Sequence, residues 1–432
     1  MRKSRFLNVI KNNCGTYFLH NTLRGSMLKA KCPASRLIVD KLVSTEMLDY
    51  DENNKFHKML RNLHMVITDD VNEMSLLNYY YLESARDMLY LLPIVTRQCD
   101  FRCTYCYQKH ENRTMSSETY ENLLVAVKKE IDFKGYRTVN ISFFGGEPLL
   151  EYDAICGFME ELQEMTKNKS ILVHGYMTTN AYKLSFEKLT KLVKLGVTNY
   201  QITVDGLRET HNVSRVTVGG KGTWDTIIKN LHDAKNSNLV FHILLRTNFD
   251  VNLVKDFENY LRFMSASFSG DSRFVVGFKA VKDLGIKPDN EMVNLSKEVD
   301  VSKRMYHLAK ELNLGLVEYP WDLLSGMCYA SKTSSLVIDT DGTLLKCTTA
   351  IDSPENRVGK LTKNGFEIED TRICKWTSYD LAKECLNCPI LALCYCRSCP
   401  VATRESHITD PEYCKSQTAF YEDNMRIRHL GD

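Results

Sequence analysis

The residues with the clearest capacity for chemistry are three cysteines within eight positions, Cys99, Cys103 and Cys106. Three thiolates at this spacing can hold one metal cluster, but they are one ligand short of closing a four-iron cube. An iron without a protein ligand leaves a coordination position for another molecule, as catalytic zinc sites do. His110, four residues after Cys106, would instead complete a zinc site. The spacing therefore indicates a metal centre, with an open iron–sulfur cluster and a zinc site as alternatives.

A second group of cysteines lies in the last hundred or so residues. It holds nine of the fifteen cysteines: Cys328, Cys347, Cys374, Cys385, Cys388, Cys394, Cys396, Cys399 and Cys414. Few long periodic segments accompany them, so we expect a loop-rich module held together by metal rather than by a large core. A zinc ribbon over Cys385–Cys399 is the alternative interpretation. Cys14, Cys32 and Cys156 stand apart and are expected to be structural thiols.

Composition and charge restrict the compartment and the partners. The chain has 432 residues with 56 Lys and Arg and 54 Asp and Glu, a net charge of +2 that weighs against nucleic-acid binding. Its apolar stretches fall short of the roughly 18 residues that cross a membrane, and its N-terminus lacks a signal-peptide pattern. We therefore expect a cytoplasmic protein without a membrane partner. Thiols stay reduced there, so metal binding is favoured over disulfides.

The cysteines need elements that position them, and the middle of the chain supplies a regular alternation. From Met88 to about residue 282, short β-branched or aromatic runs alternate with helical patterns, the helices beginning at Ser117 and Thr223 or ending at Gly196. The predicted strands are Leu91–Thr96, Val139–Phe144, Ile171–Met177, Tyr200–Val204, Phe241–Thr247 and Arg273–Phe278. The pattern predicts an α/β fold with a parallel sheet or partial barrel, in which ligands gather at the carboxyl ends of the strands.

The chain divides into three predicted regions. A polar stretch, Asp283–Asp300, is expected to be a loop, and a linker helix is expected near Lys303–Leu312. A hairpin is expected around Asn13 and Gly15. The predicted domains are an α+β N-terminal region (1–88), a barrel (89–300), and a linker helix with the cysteine-rich domain (301–432).

The motif Cys-x3-Cys-x-aromatic-Cys, with Tyr105 as the aromatic residue, resembles the signature of the radical S-adenosylmethionine (SAM) superfamily. In that superfamily the amino and carboxylate groups of SAM chelate the open iron of a 4Fe–4S cluster. Reductive cleavage then produces a 5′-deoxyadenosyl radical that abstracts hydrogen. The resemblance implies a partial (β/α)6 TIM-like barrel, SAM and a cluster held by the three cysteines as cofactors, and a flavodoxin or ferredoxin as reductant.

Other residues of the predicted barrel resemble the SAM contacts of that superfamily. A Gly-Gly-Glu-Pro turn follows the second strand, where the glycines permit close approach and Glu147 can accept hydrogen bonds from the SAM ammonium group. By resemblance, Tyr105 contacts adenine through its backbone and Arg215 faces the SAM carboxylate. Arg246 is a weaker polar candidate, and His211 fits the pattern without an assigned role. The residues assigned to SAM are Tyr105, Gly145, Gly146, Glu147, Pro148, Asn180, Thr203 and Arg215.

The C-terminal cysteines resemble a SPASM domain, which carries two auxiliary 4Fe–4S clusters and is typical of enzymes that modify peptides and proteins. The family spacing after Cys394 would reach Ser398, so Cys399 is the expected equivalent and Cys396 its competitor. The fourth position of the proximal cluster is an open iron, Cys396 or Cys374. The resemblance assigns Cys385, Cys388, Cys394 and Cys414 to a distal cluster, and Cys328, Cys347 and Cys399 to a proximal one.

These resemblances imply a maturase that modifies a ribosomally synthesised precursor peptide by hydrogen abstraction, forming a thioether or carbon–carbon crosslink. The first alternative is an anaerobic sulfatase-type maturase, which oxidises Cys or Ser to formylglycine. Such enzymes have an aspartate after the second SPASM cysteine, whereas Thr348 follows Cys347 here, with Asp339 and Asp341 nearby in sequence. The second alternative is a zinc-stabilised peptide-binding scaffold. Residues 1–88 loosely resemble a winged-helix precursor-recognition domain, and otherwise form an extension that covers the barrel.

Overall fold

The computed structural model describes residues 1–83, 86–282, 292, 295–317, 328–377, 383–394 and 411–430. The chain forms two compact units. The first contains Met1–Ala85, Glu318–Lys332 and Ser378–Asp432, and the second contains Arg86–Val317 and Thr333–Thr377. The first unit thus joins N-terminal and C-terminal segments. The division into three domains at residues 88 and 300 stays a prediction.

The strands and helices have the following bounds. The strands are β1 (Arg2–Lys3), β2 (Leu7–Lys11), β3 (Tyr17–Asn21), β4 (Ser26–Ala30), β5 (Val66–Ile67), β6 (Met88–Thr96), β7 (Phe101–Cys103), β8 (Thr138–Gly145), β9 (Leu172–Thr179), β10 (Val197–Thr203), β11 (Arg215–Thr217), β12 (His242–Phe249), β13 (Phe274–Ala280), β14 (Ser335–Ile338), β15 (Thr343–Leu345), β16 (Arg357–Thr362) and β17 (Gly365–Ile368). The α-helices are Pro33–Thr45, Lys55–Asn62, Glu73–Glu83, Ser117–Lys134, Tyr152–Thr166, Phe186–Lys194, Arg208–Ser214, Trp224–Lys235, Val251–Phe268, Leu295–Glu311, Asp370–Thr377, Leu391–Cys394 and Pro411–Met425.

The second unit is built on a ten-stranded sheet. Its strand order is β13-β12-β10-β9-β8-β6-β14-β15-β16-β17. Six strands, β6, β8, β9, β10, β12 and β13, pair in parallel and have helices between them. This arrangement confirms the predicted α/β fold with a partial TIM-like barrel. All six predicted strands are present, with ends shifted by a few residues. The sheet therefore brings the carboxyl ends of these strands to one edge, where the motif residues lie.

Residues 335–368 add an element that the sequence did not predict. This part of the cysteine-rich region was expected to be loop-rich, but β14 pairs in parallel with β6 and β15–β17 continue the sheet in antiparallel fashion. The four residues of β14 are buried throughout. So short an apolar run carries little periodicity, and its place in the sheet depends on β6, far away in sequence.

Two helix boundaries differ from their predictions. The helix predicted to begin at the Ser117 cap is instead capped by Ser116, whose hydroxyl accepts from the Thr119 amide at 3.2 Å. Adjacent serines are equivalent as sequence signals, and the extended backbone of Ser116 decides between them. The helix predicted near Lys303–Leu312 begins earlier, spanning Leu295–Glu311, because Lys and Glu favour helices despite their polarity. Of the predicted loop Asp283–Asp300, residues 283–291, 293 and 294 lie outside the described residues.

The first unit contains a small antiparallel sheet of strand order β2-β3-β4, which confirms the predicted hairpin around Asn13 and Gly15. Three helices follow it, and Leu19 of the sheet shares a core with Val39 and Leu60 of the first two helices. C-terminal segments belong to the same unit: Asn8 Nδ2 donates to the Pro389 carbonyl at 2.7 Å. Among the described helices, none is long and apolar enough to span a bilayer.

Candidate functional site

The three clustered cysteines follow β6 at the carboxyl edge of the sheet and are partly buried. The short strand β7 holds this loop by pairing with β11, which sets Cys103 directly opposite Arg215. The Cys106 amide donates to the Cys103 carbonyl at 3.0 Å. The backbone thus places the cysteines on one short loop, with a guanidinium beside the middle one.

Burial raises the pKa of all three thiols, to about 11 for Cys103, where the positive charge of Arg215 opposes the rise. A metal would displace the proton and stabilise the thiolate form. In the described part of the chain, no three His, Cys, Asp or Glu side chains are grouped as a single metal-ion site. A zinc ion requires its ligands to converge on one point, whereas a four-iron cube takes each thiolate on a different iron. The cysteines and His110 are therefore not arranged as a closed zinc site.

The Gly-Gly-Glu-Pro turn lies against the start of the cysteine loop. A Cβ atom at Gly145 would overlap the Thr96 carbonyl, and one at Gly146 would overlap the Gln98 carbonyl, so the close approach requires glycine at both positions. The turn is completed by Pro148, the first residue of a short 3-10 helix, Pro148–Glu151. This packing fixes Glu147 next to the loop that carries the cysteines.

Glu147 is buried and held by hydrogen bonds. Its Oε1 accepts from Thr179 Oγ1 at 2.6 Å and from the Leu149 amide at 3.0 Å, while Oε2 accepts from the Asn180 amide at 2.7 Å. Burial raises the pKa of Glu147 to about 7, against the effect of these bonds. A carboxylate offers about four acceptor positions, so one position on Oε2 is available to a ligand donor.

A buried hydrogen-bond network connects Tyr105 with three other strand ends. The Tyr105 hydroxyl donates to Asp205 Oδ2 and accepts from Arg215 Nη1 at 2.7 Å and from Asn248 Nδ2 at 3.2 Å. The Asn248 amide donates to Asp205 Oδ1 at 2.7 Å. Burial lowers the pKa of Arg215, but its interactions with Cys103, Tyr105 and the Asp205 carboxylate outweigh that effect and raise the pKa overall. Arg215 is therefore a fixed cation at the site.

His211 contacts the backbone of two members of this network, one of them through Thr223. Its Nδ1 accepts from the Asp205 amide at 3.2 Å, and its Nε2 lies 3.1 Å from Thr223 Oγ1, which donates to the Arg215 carbonyl at 2.7 Å. Burial and the charge of Arg215 hold the pKa of His211 well below its usual value, so the imidazole is neutral. His211 thus positions both Asp205 and Arg215, a role that the sequence alone left unassigned.

Several buried polar atoms in and opposite the cysteine loop have no hydrogen-bond partner among the described residues. They include Asp100 Oδ2, Gln108 Oε1, His110 Nδ1 and Arg215 Nε. A buried polar atom without a partner is costly, and a missing ligand is one explanation for it. The spare acceptor position of Glu147 suits an ammonium group, and the unpaired Nε of Arg215 suits a carboxylate. The residues therefore fit a ligand with both groups, as SAM has.

Two further predicted SAM residues lie at strand ends of the same sheet. Thr203 ends β10 and pairs in register with Arg246 of β12. Asn180 follows β9, and its Nδ2 donates to Asp100 Oδ1 at 2.9 Å, which ties it to the cysteine loop. The fold thus gathers Tyr105, Gly145, Gly146, Glu147, Pro148, Asn180, Thr203 and Arg215 at the carboxyl edge. Their individual contacts with SAM stay predictions.

The auxiliary-cluster cysteines are only partly described. Cys385, Cys388 and Cys394 lie in one short segment of the first unit, and the Cys388 amide donates to the Cys385 carbonyl at 3.0 Å. Burial raises the pKa of Cys388, with further contributions from Cys385 and Cys414, which puts Cys414 near it. Cys396 and Cys399 lie outside the described residues. Cys328 precedes a 3-10 helix, and Cys374 is exposed on a helix. The ligand assignments stay predictions.

Thr348, the residue after Cys347, is hydrogen-bonded to the cysteine loop. The Tyr107 hydroxyl donates to the Thr348 carbonyl at 3.1 Å, so position 348 lies close to the candidate site. Asp339 is committed elsewhere: Arg97 donates to both of its carboxylate oxygens, at 2.9 and 2.6 Å, and Arg113 approaches at 3.3 Å. Asp339 is therefore tied into an ion-pair network.

Comparisons with known proteins agree with this geometry. Residues 93–264 match the model of the radical SAM superfamily. The chain is 23% identical to a cysteine-type anaerobic sulfatase-maturating enzyme of Clostridium perfringens over 356 residues, covering 77% of this chain and 95% of that protein. It is 24% identical to the radical SAM cyclopropyl synthase TigE of Paramaledivibacter caminithermalis over 292 residues, covering 60% of each chain.

Solved structures show the same fold. The structure of anSMEcpe with bound AdoMet and a Cp18Cys peptide has a TM-score of 0.62 at 19% identity, covering 80% of this chain and 99% of that one. Streptococcus suis SuiB bound to its precursor peptide SuiA has a TM-score of 0.55 at 15% identity, covering 94% and 97%. The superfamily uses SAM and a 4Fe–4S cluster. Residues 93–264 are thus a radical SAM domain, and the chain is an enzyme similar to the SPASM-type radical SAM maturases.

Proposed function

We propose that this enzyme modifies a ribosomally synthesised precursor peptide by radical hydrogen abstraction and forms a thioether or carbon–carbon crosslink. The observation that carries the proposal is the placement of buried Glu147, with one spare acceptor position, and Arg215, with an unpaired Nε, beside the cysteine loop, which suits the two charged ends of SAM. The two solved neighbours with bound peptides support a peptide as the substrate.

The residues of this chain divide the work of holding SAM. Glu147 receives the ammonium group on its spare acceptor position, and Arg215 receives the carboxylate. Tyr105 and Asp205 hold Arg215 in place through the buried network. When bound to the cluster, SAM supplies a hydrogen-abstracting 5′-deoxyadenosyl radical. The surrounding protein excludes water and other hydrogen donors from the carboxyl edge of the sheet.

Electrons for the reaction are proposed to come from a protein reductant, with auxiliary clusters in the C-terminal region. Two auxiliary 4Fe–4S clusters are proposed on the SPASM cysteines, with Cys385, Cys388, Cys394 and Cys414 on one and Cys328, Cys347 and Cys399 on the other. The proximity of Cys388 and Cys414 supports the first set. A flavodoxin or ferredoxin is the proposed reductant, and the cytoplasm is the proposed compartment because oxygen-sensitive clusters and reduced thiols persist there.

The N-terminal region is proposed to recognise the precursor. Its sheet order β2-β3-β4 makes β4 an outer strand, and most residues of β4 are partly exposed. An outer strand with unpaired backbone groups can accept a peptide as an additional strand. Loss of peptide binding on deletion of residues 1–83, with SAM binding retained, would support this assignment.

The second candidate function is oxidation of Cys or Ser to formylglycine, and the similarity to sulfatase-maturating enzymes over most of the chain favours it. Those enzymes have an aspartate after the second SPASM cysteine, whereas this chain has Thr348. Asp339 does not substitute for it, because two arginines already hold its carboxylate. This candidate is therefore the weaker one.

Co-expression with a short cysteine-rich peptide encoded beside the gene, followed by mass spectrometry, tests the proposal. A loss of two hydrogens with fragments that stay linked between two residues would support a crosslink. A loss of two hydrogens confined to one Ser would support formylglycine, as would the same loss at one Cys accompanied by replacement of its sulfur by an oxygen from water, with release of hydrogen sulfide. The Cys103→Ala variant is the control and should form no 5′-deoxyadenosine. Three clusters predict about twelve irons per chain, and zinc without sulfide would contradict the proposal.

A further inference from the structure

Two cationic side chains lie at the carboxyl ends of β12 and β13, Arg246 and Lys279. Residues in register on neighbouring parallel strands point to the same face, and Asn248 is in register with Lys279. Arg246 lies two residues before Asn248 and donates from Nε to Asn248 Oδ1 at 2.9 Å. Since Asn248 also donates to Tyr105, both cations lie on the face that carries the candidate SAM site.

Neither cation is neutralised by a carboxylate in the described chain. Arg246 makes its bond to Asn248 through Nε, and within the residues that the structure describes its two terminal nitrogens have no hydrogen-bond or ion-pair partner. Lys279 is exposed at the end of its strand, and its ammonium likewise has no such partner among those residues. Among the described residues, the two positive charges therefore face the barrel interior without a carboxylate in ion-pair contact, although Asp205 and Glu298 act on them through space.

The nearby carboxylates are already engaged. Asp205 accepts from Tyr105 and from the Asn248 amide. Glu298 forms an ion pair with Lys282 at 3.1 Å. The proximity of the two cations is visible in the pKa of Lys279: the surrounding protein lowers it, the positive charges of Arg246 and Lys282 lower it further, and Glu298 opposes them. Because Lys279 is exposed and Arg246 is only partly buried, both charges are accessible to an anionic ligand.

We propose that Arg246 and Lys279 form a subsite that binds a carboxylate of the peptide substrate. The single carboxylate of SAM already has a partner in Arg215, so a second anion must come from the other reactant. Arginine and lysine together offer charge-assisted hydrogen bonds that a carboxylate can accept. This inference rests on the proposed function and specifies its substrate, a peptide with an acidic side chain or a free C-terminus at the position that enters the barrel.

The test uses three short peptides and the complete enzyme, anaerobically reconstituted and loaded with SAM. Two acetylated and amidated tripeptides, alanyl-glutamyl-alanine and alanyl-glutaminyl-alanine, differ only in the side-chain charge. The third is the acetylated glutamine peptide with a free C-terminal carboxylate. Isothermal titration is expected to show that one carboxylate peptide binds about tenfold more tightly than the neutral peptide, the effect of one charge-assisted hydrogen bond. Which carboxylate peptide binds identifies the source.

The variants Lys279→Gln and Arg246→Gln should lose this preference, and Arg246→Lys should recover part of it. Lys282→Gln is the matched control, because Lys282 is a cation in the same region whose charge is already paired with Glu298. Equal binding of all three peptides to the wild-type enzyme would overturn the subsite. A loss of SAM affinity in Lys279→Gln with unchanged peptide preference would also overturn it, since the cation would then serve SAM. If either result were obtained while the enzyme still cleaved SAM, the carboxylate subsite would be wrong but the proposed function would remain.

Discussion

The Tyr105 hydroxyl donates a hydrogen bond to Asp205, one hundred positions away in the chain, at the centre of the buried network that fixes Arg215. The sequence resemblance assigned Tyr105 only a backbone contact with adenine. The structure adds a role for its side chain, because the hydroxyl also accepts from Arg215 and Asn248. Tyr105 therefore connects the cysteine loop to the carboxyl ends of two other strands.

The first prediction concerns that hydroxyl. Tyr105→Phe should lower the free energy of unfolding by about 1–3 kcal/mol, because buried partners are left unsatisfied. It should also weaken SAM binding by about tenfold, since Arg215 loses its anchor. Tyr120→Phe is the matched control, because the Tyr120 hydroxyl is buried without a hydrogen-bond partner and its removal should cost little. Equal effects of the two variants on SAM affinity, measured by titration, would contradict the role of Tyr105.

A second prediction follows from the neutral imidazole of His211. Its pKa in the folded protein lies well below its value of about 6.5 in an unfolded chain, so the unfolded state binds the proton more readily. Its contribution to stability is therefore complete above pH 6.5 and is lost as the pH falls below that value. The melting temperature of the wild type should fall more steeply between pH 6.5 and 5 than that of His211→Gln. Parallel profiles would show that His211 does not titrate in this way.

The sequence predicted the parallel strands well because their signal is local. Runs such as Val139–Phe144 are short and rich in β-branched and aromatic residues, and the end of the strand determines where the motif residues immediately after it lie. The cysteine and Gly-Gly-Glu-Pro motifs follow predicted strands in this way, whereas Arg215 was assigned through the resemblance to the radical SAM superfamily. Local sequence patterns were sufficient to predict where the two motifs lie in the fold, but not which side chains they contact.

What the sequence could not show depends on contacts between distant residues. The pairing of β14 with β6 joins residues more than two hundred positions apart, and four buried residues carry too little pattern to indicate it. The same holds for Asp205, whose partners Tyr105 and Asn248 come from the cysteine loop and from β12. Asp339 looked available in sequence, but its carboxylate is held by Arg97 and Arg113. The hydrogen-bond and ion-pair partners of a side chain depend on the tertiary structure, so local sequence patterns do not predict them.

A third prediction tests the close approach at the Gly-Gly-Glu-Pro turn. A methyl group at Gly146 would overlap the Gln98 carbonyl, so Gly146→Ala should displace the start of the cysteine loop and lower both the iron content and the melting temperature. Gly157→Ala is the matched control: its Cβ meets nothing within 4 Å, and it lies inside the helix Tyr152–Thr166. That variant should be slightly stabilised, since alanine favours helices. Full iron content in Gly146→Ala would contradict the packing argument.

The last prediction concerns the pH dependence of SAM binding through Glu147. Burial raises the pKa of this carboxyl to about 7 in the free site, so at pH 6 most of it is protonated and cannot receive an ammonium group as a charged partner. SAM affinity should therefore rise several-fold between pH 6 and pH 7.5, and then fall above about pH 8 as the amino group of SAM loses its proton.

Glu147→Gln should bind SAM more weakly than the wild type. Its SAM affinity should not rise between pH 6 and pH 7.5, but it should still fall above about pH 8. Glu151→Gln, four residues away and bonded to Thr114, is the control and should keep both. Equilibrium dialysis of SAM across this pH range measures the profile. If Glu147→Gln retains the rise between pH 6 and 7.5, another group controls it. The ammonium contact assigned to Glu147 would then be wrong.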